Sequence, residues 1–148
     1  MRISVAADSL DGEARLIPDL LTALGHEVTA YGALAEGVAE TDPAAVWSAC
    51  ARQAASDVAE GRADQAVVAC WTGTGVSIAA NKVPGIRAAL CTDAATAAGA
   101  RRWNDANVLA LSLRLVSGPV LAEILEAWFD TDPSSDTGDI AAISLVEP

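Results

Sequence analysis

The sequence predicts an α/β fold, a three-layer α/β/α sandwich built around a five-stranded parallel sheet. Three observations support this prediction. Short apolar runs typical of buried strands recur five times, each run precedes a stretch with helical apolar spacing, and glycine, proline or small polar residues separate them. Strict alternation of strand and helix implies parallel strands joined by right-handed crossovers, which cover both faces of the sheet in a Rossmann-like arrangement.

The first two strand-helix units occupy the first 60 residues. An apolar run over residues 2–7 predicts the first strand, and the apolar spacing of residues 15–24 predicts a helix that stops at Gly25, a residue suited to a left-handed helix end. A second strand follows over residues 26–31. After a loop rich in small and acidic residues, an alanine-rich helix is predicted over residues 44–60.

The last three units follow the same alternation. Gln65–Cys70 is the most strand-like run in the chain and breaks into a turn with two glycines. Pro84 and Gly85 mark a further turn into the next strand. The remaining elements are predicted as a helix over 76–82, a strand over 86–91, a helix over 94–103, a strand over 108–113 and a last helix over 120–129.

The length of 148 residues suits one domain, which we expect over residues 1–130. Residues 131–148 form an acidic, weakly patterned tail with one apolar patch, Ile140 to Val146, that could dock on a neighbouring molecule. Hydrophobic residues make up 52% of the chain, which excludes a fully disordered protein. Nine Lys and Arg against 20 Asp and Glu give a net charge of −11, which argues against nucleic acid and anionic membranes as partners.

The compartment and the metal content can also be predicted. The first apolar run ends at Asp8, too early for a signal peptide, and no run approaches the ~20 residues that span a bilayer. Three cysteines, Cys50, Cys70 and Cys91, cannot form a paired disulfide framework or a four-thiolate metal site. We therefore expect a cytoplasmic protein without a metal and without membrane association.

Ligands of doubly wound sheets bind at the carboxyl ends of the strands, near the reversal of strand order. The residues expected there are Asp8, Ser9, Cys70 to Gly75, Thr92, Asp93 and, before the fifth strand, Asn104. The strongest local signal is Cys70-Trp-Thr-Gly-Thr-Gly75, because its glycines let backbone N–H groups approach an anion at a helix start. The alternative is a tight connection without a ligand. A third glycine is missing, so the turn is neither a dinucleotide fingerprint nor a Walker A loop, and no cofactor is expected.

Cys70 is a candidate base or nucleophile because it directly precedes the donors of this turn. The alternative is a small buried hydrophobic residue, which is the interpretation for Cys50 and Cys91. His26, the only histidine, is predicted at the opposite end of the sheet. A Cys-His hydrolase is therefore disfavoured.

The glycine turn begins a longer motif, Cys70-Trp-Thr-Gly-Thr-Gly-Val-Ser-Ile-Ala-Ala-Asn-Lys-Val-Pro-Gly-Ile-Arg-Ala-Ala-Leu-Cys91, which is continued by Asn104-Asp-Ala-Asn-Val-Leu-Ala110. This motif closely resembles the family of type B ribose-5-phosphate isomerases and galactose-6-phosphate isomerases. The resemblance is specific over residues 65–128 and looser back to Met1. It implies an aldose–ketose isomerase that works through an enediolate. It also implies a homodimer or homotetramer whose sites borrow residues from the partner chain.

The resemblance also implies roles for individual residues. Cys70 matches the base that moves a proton between C1 and C2, and Thr72 matches the residue that assists proton delivery. The backbone N–H groups of Gly73, Thr74 and Gly75 and the Asn104 side chain match the groups that hold the oxyanion. Asp8 matches an acidic residue that binds substrate hydroxyls, and Arg114 matches a phosphate contact.

This chain departs from the family pattern at several of these positions. Ser9 stands where the family has a phosphate-binding histidine, and Trp103 stands where it has the ring-opening histidine. Trp71 replaces a glycine and narrows or reshapes the pocket, and Trp47 aligns with an aromatic residue of the family's site. The segment from Asp130 to Pro148 holds no Arg, Lys or His, unlike the family's phosphate-binding arm.

Two function classes remain open after these departures. The first is an isomerase of a short acyclic sugar phosphate or of an unphosphorylated sugar. The second is a catalytically impaired relative that acts as a sugar-binding or assembly protein. Retention of Cys70, Thr72 and both turn glycines favours the first.

Overall fold

The computed structural model describes residues 1–146, which form a five-stranded sheet between two layers of helices. The strands are β1 (Arg2–Ala7), β2 (Glu27–Gly32), β3 (Gln65–Cys70), β4 (Ala88–Leu90) and β5 (Val108–Ser112). The helices are α1 (Leu16–Ala23), α2 (Trp47–Ala59), α3 (Thr74–Ala80), α4 (Ala94–Asn104), α5 (Gly118–Phe129) and α6 (Thr137–Ser144). All strand pairs are parallel, in the order β2-β1-β3-β5-β4, which confirms the predicted fold class.

The central strand β3 is buried along its whole length because helices cover both of its faces. On one face, Val67 and Ala69 pack in a cluster with apolar side chains of α1, α4 and α5. On the other face, Val68 and Cys70 pack with α2 and α3. The alternating side chains of a strand thus belong to two separate cores, as the continuous apolar run of a doubly covered strand requires.

The strand register brings several chain segments together at the carboxyl edge of the sheet. Ala7 pairs with Ala69, and Cys70 pairs with Ser112. The strand order reverses between β1 and β3, because β1 connects to β2 on one side while β3 lies on its other side. The segments that follow β1 and β3 therefore meet at the position where doubly wound sheets bind ligands.

The predicted element boundaries differ from the structure in a few places. The predicted helix over 44–60 is divided, because Pro43–Ala45 forms a 3₁₀ turn and α2 begins only at Trp47. Helix α3 begins two residues earlier than predicted, and β4 spans only Ala88–Leu90.

The prediction that the helix over 120–129 is the last one is wrong. Helix α6 follows it, and its start is capped by Asp136, whose carboxylate accepts a hydrogen bond from the Gly138 N–H at 2.7 Å. The apolar patch predicted at Ile140 to Val146 falls on this helix and the turn after it. The last two residues of the predicted tail, 147 and 148, lie outside the described residues. No helix within residues 1–146 combines the length and apolar character that a membrane crossing needs.

Candidate active site

The turn after β3 is held in one conformation by its neighbours. Gly73 has φ +74°, and a Cβ atom there would lie 2.5 Å from Leu90 Cδ1 and 2.9 Å from the Leu111 carbonyl oxygen. Both the left-handed backbone and the lack of space require glycine at this position. Gly73 is the N-cap of α3 and supplies no side-chain cap, so the first N–H groups of the helix keep their hydrogen-bonding capacity.

Hydrogen bonds to β5 and the following loop fix the backbone next to Cys70. The Cys70 carbonyl accepts a hydrogen bond from the Leu113 N–H at 3.0 Å. The Trp71 carbonyl accepts from the Arg114 N–H at 3.0 Å and from the Ser112 hydroxyl at 2.9 Å. The backbone that carries the Cys70 and Trp71 side chains is therefore anchored to the adjacent strand.

A cavity of about 210 Å³ opens beside this turn, lined by Asp8, Trp47, Cys70, Trp71, Thr72, Thr74 and Gly75. The indoles of Trp47 and Trp71 form its walls and are 43% and 53% exposed. The Trp47 ring lies against Gly75, where an added Cβ atom would be 3.0 Å from a ring carbon. The Thr72 and Thr74 hydroxyl oxygens are 2.8 Å apart.

Asp8 lines this cavity and has one carboxylate oxygen without a hydrogen-bond partner. Its Oδ1 atom is buried and has no hydrogen-bond partner. Burial raises the pKa of Asp8 above its usual range, and the charges of Asp11 and Glu40 add to the rise, although backbone N–H groups oppose it. A buried polar atom without a partner is uncommon in native proteins, which makes Asp8 a candidate ligand-binding residue.

The three cysteines have different environments. Cys70 lines the cavity, although only 6% of the residue is exposed. Burial, together with the charge of Asp8, raises the pKa of Cys50 to about 12, and burial, together with Asp93, raises the pKa of Cys91 to about 12. These two thiols stay protonated at neutral pH and are buried, as the sequence predicts.

Three other predicted site residues lie at the carboxyl edge without lining the cavity. The Ser9 hydroxyl donates to the Asp11 carboxylate at 3.1 Å. Gly73 lies within the turn, and its N–H donates a hydrogen bond to the Cys70 carbonyl oxygen at 3.2 Å. The Arg114 side chain is exposed and makes no hydrogen bond or ion pair with any residue of the described chain, while its backbone N–H holds the Trp71 carbonyl.

Asn104, which is expected at the carboxyl edge of the sheet, lies at the opposite edge. Asn104 is the last residue of α4, which runs antiparallel to the strands and therefore ends at the amino edge of the sheet. The Asn104 carbonyl accepts a hydrogen bond there from Arg87, the residue before β4. With Trp103, Asn104 lines a larger cavity of about 360 Å³ against α6. We assign the site to the smaller cavity, because the larger one contains no cysteine, histidine or carboxylate side chain.

His26 also lies at the amino edge, as predicted, with its ring centroid 4.3 Å from that of Phe129.

Two residues that support the site are not indicated by the sequence. Ser112 holds the Trp71 carbonyl, and Glu40 accepts a hydrogen bond from the Leu10 N–H at 2.7 Å, which ties the loop after Asp8 to the loop after β2. Ser112 could have been suspected as a polar residue ending a buried strand, whereas Glu40 carries no distinguishing signal. Within the described part of the chain, no three His, Cys, Asp or Glu side chains group as a metal site would.

This sequence and this fold have counterparts among known proteins. The family described as Ribose/Galactose Isomerase matches residues 3–142. Ribose-5-phosphate isomerase B of Escherichia coli K12 is 39% identical over 112 residues, covering 71% of this chain and 74% of that protein. D-erythrulose-4-phosphate isomerase of Pectobacterium atrosepticum is 34% identical over 133 residues, covering 89% and 84%. The structure of Clostridium thermocellum ribose-5-phosphate isomerase B superposes with a TM-score of 0.85 at 33% identity, covering 99% and 95%.

The family match over most of the chain and the shared fold place this protein in the class of α/β sugar isomerases. The chain belongs to the ribose/galactose isomerase family, which confirms the family predicted from the Cys70 motif. Membership also confirms the predicted enzyme class, an aldose–ketose isomerase.

Proposed function

We propose that this chain isomerises a sugar phosphate through an enediolate, with Cys70 as the base. One observation carries the proposal: the Cys70 thiol, the Asp8 carboxyl group and the Thr72 hydroxyl line one cavity at the reversal of strand order. Proton transfer next to a carbonyl needs a base and donors for an oxyanion. The thiol and the free N–H groups at the start of α3 can supply them.

The reaction proceeds without net oxidation. The Cys70 thiolate removes the proton from the carbon beside the substrate carbonyl, and the electron pair of that C–H bond forms the enediolate. The resulting thiol returns a proton to the former carbonyl carbon. Thr72 passes a proton between the two substrate oxygens, the N–H groups of Thr74 and Gly75 stabilise the oxyanion, and Asp8 accepts hydrogen bonds from substrate hydroxyls.

The substrate we propose is a short sugar phosphate that stays acyclic. A four-carbon sugar with a phosphate on its terminal oxygen cannot close a five-membered ring, because the oxygen that would attack the carbonyl is esterified. Such a substrate needs no ring-opening acid, and the one histidine of this chain lies at the far edge of the sheet. The similarity to a protein named D-erythrulose-4-phosphate isomerase supports this choice. Arg114 is the candidate phosphate contact.

We further propose that the site is completed by a second copy of the chain, whose Asn104 reaches the Cys70 cavity. Asn104 and Trp103 lie on the surface at the opposite edge of the sheet, and Trp103 is 57% exposed. The wall residue Trp71 is exposed as well. In a two-fold dimer, the carboxyl edge of each sheet would face the amino edge of the other. This arrangement would bury the Trp71 and Trp103 indoles and complete two equivalent sites.

The isomerase proposal is tested by a substrate screen of tetrose, pentose and hexose sugars with and without phosphate. We expect fastest turnover of the four-carbon ketose phosphate, and Cys70→Ala should lower its kcat by about a thousandfold while the protein stays folded. Turnover of none of these sugars would refute the proposal and favour a sugar-binding or assembly protein. Near-normal activity of Cys70→Ala would refute the cysteine base.

The two-chain site is tested by mixing inactive variants. Cys70→Ala and Asn104→Ala should each be inactive alone, yet their mixture should regain about a quarter of wild-type activity, because half of the dimers are mixed and each mixed dimer holds one intact site. If the mixture stays inactive while native mass spectrometry with one affinity-tagged variant shows mixed dimers, the two residues do not act in one site.

A further inference from the structure

The hydroxyl groups of Thr72 and Thr74 form an isolated pair at the cavity wall. Their oxygens are 2.8 Å apart, and either group could be the donor. Both residues line the cavity beside Cys70. Neither hydroxyl has another hydrogen-bond partner among residues 1–146. The pair therefore has one proton between its two oxygens and a second proton left for a ligand.

Other threonines show why the Thr74 proton is free for this contact. The hydroxyls of Thr22 and Thr131 donate to the carbonyls of Pro18 and Ala127, four residues earlier. Thr74 is the first residue of α3, so no helical turn precedes it. Its hydroxyl lacks the usual backbone acceptor and has Thr72 within reach instead.

We propose that Thr74 is a positioning residue that donates its hydroxyl proton to Thr72 Oγ1 and so directs the Thr72 proton into the cavity. The inference rests on the proposed function, in which Thr72 passes a proton between substrate oxygens. A hydroxyl that accepts at its oxygen keeps its own proton for another acceptor. Accepting a hydrogen bond also makes that proton a better donor.

The geometry between the two threonines is fixed by the residue that separates them. Gly73 has a left-handed conformation close to Leu90 and Leu111, and its N–H donates to the Cys70 carbonyl, which limits how far the backbone between the two exposed threonines can move. Without the Thr74 hydroxyl, the Thr72 side chain and its O–H bond are free to occupy about three staggered positions. In a smaller fraction of the enzyme–substrate complexes, the Thr72 O–H group then points toward the substrate.

The first test replaces the hydroxyl of Thr74 by a methyl group of similar size. Thr74→Val should lower kcat about tenfold and change KM by less than about twofold, because orientation is lost while the cavity keeps its shape. Thr74→Ser, which keeps the hydroxyl, should restore kcat to within about threefold of the wild type. The matched control is Thr22→Val, whose hydroxyl lies on α1 and should leave kcat unchanged.

The second test is a double-mutant cycle between the two threonines. If Thr74 acts through Thr72, adding Thr74→Val to Thr72→Val should cause no further loss of kcat. The proposal would be overturned if Thr74→Val lowered kcat by the same factor in the wild type and in Thr72→Val. It would also be overturned if Thr74→Val kept full kcat, or if Thr74→Ser did not restore kcat. Full kcat in Thr72→Val would instead refute the role of Thr72 in the proposed function, and with it this inference.

Discussion

Two acidic residues of this protein, Asp8 and Asp57, have opposite environments. Asp57 on α2 is 3% exposed and accepts hydrogen bonds from the Ser4 hydroxyl at 2.7 Å, the Tyr31 hydroxyl at 2.6 Å and Arg62 Nε at 2.7 Å. Asp8 at the carboxyl edge has a buried oxygen with no partner. Both carboxylates are at least partly removed from water, but only at Asp57 do hydrogen bonds within the protein outweigh the cost of burial.

The pKa values of the two residues reflect this difference. Burial alone would raise the pKa of Asp57, but the hydrogen bonds from Ser4, Tyr31 and Arg62 outweigh it and lower the pKa below its usual range. Burial raises the pKa of Asp8 because too few donors oppose it. A satisfied buried carboxylate belongs to the scaffold, whereas an unsatisfied one beside a cavity marks a site for a ligand.

The largest effect on stability is expected at the satisfied residue. Asp57→Ala leaves the buried Ser4 hydroxyl and the partly buried Tyr31 hydroxyl without their acceptor, which should cost about 2–4 kcal/mol of the free energy of unfolding. For a chain of this length, that loss should lower Tm by roughly 5–15 °C. Thermal unfolding followed by circular dichroism measures the shift.

The matched control for this variant is Asp64→Ala, which breaks the exposed Arg2–Asp64 pair. Its loss should be much smaller, because water replaces the partner of an exposed ion pair. Equal losses of stability in the two variants would contradict the inference that the hydrogen bonds to Asp57 stabilise the fold.

At Asp8, the unsatisfied residue, activity should change far more than stability. Asp8→Asn should lower kcat/KM about a hundredfold, because it removes a charged acceptor for substrate hydroxyls. Steady-state kinetics with the best substrate of the screen measures it. Asp57→Ala, assayed below its Tm, should keep kcat/KM within about threefold. Loss of activity in Asp57→Ala, with Asp8→Asn unaffected, would reverse the assignment of the two residues.

The same contrast explains which features the sequence could predict. Cys70 and the turn glycines were predictable because a strand, a turn and a helix start are local in the chain. The Asp57 cluster was not, because Ser4, Tyr31 and Arg62 come from separate segments that only the fold brings together. The prediction of Asn104 at the carboxyl edge is wrong, because a residue that ends a helix and closely precedes β5 lies at the amino edge of a parallel sheet.

A smaller effect, on selectivity, is expected at the cavity wall. Trp71→Gly removes an indole that is 53% exposed and should open the cavity to longer sugars. The ratio of kcat/KM for a five-carbon over a four-carbon sugar phosphate should rise about tenfold. Trp71→Phe keeps an aromatic wall and should keep the wild-type ratio. An unchanged ratio in Trp71→Gly would exclude Trp71 from the selection of chain length.

The smallest expected effect is the pH dependence of stability, which should have opposite signs at the two acids. Because folding lowers the pKa of Asp57, its ionised form stabilises the fold at pH values above about 4, and this contribution disappears as the pH falls through the lowered pKa. Because folding raises the pKa of Asp8, its ionised form destabilises the fold above the raised pKa, and protonation relieves that cost as the pH falls.

Urea unfolding of Asp57→Asn and Asp8→Asn from pH 7 down to about pH 3 separates the two contributions. Asp57→Asn should be less stable than the wild type at pH 7, with a difference that shrinks at low pH. Asp8→Asn should be more stable at pH 7, by less than about 1 kcal/mol because the residue is only half-buried, and this gain should also shrink at low pH. A substitution is expected to raise stability and lower activity where the original residue binds the ligand but destabilises the folded protein. If Asp8→Asn destabilises the protein at pH 7, the Asp8 carboxylate is compensated within the fold and the contrast with Asp57 fails.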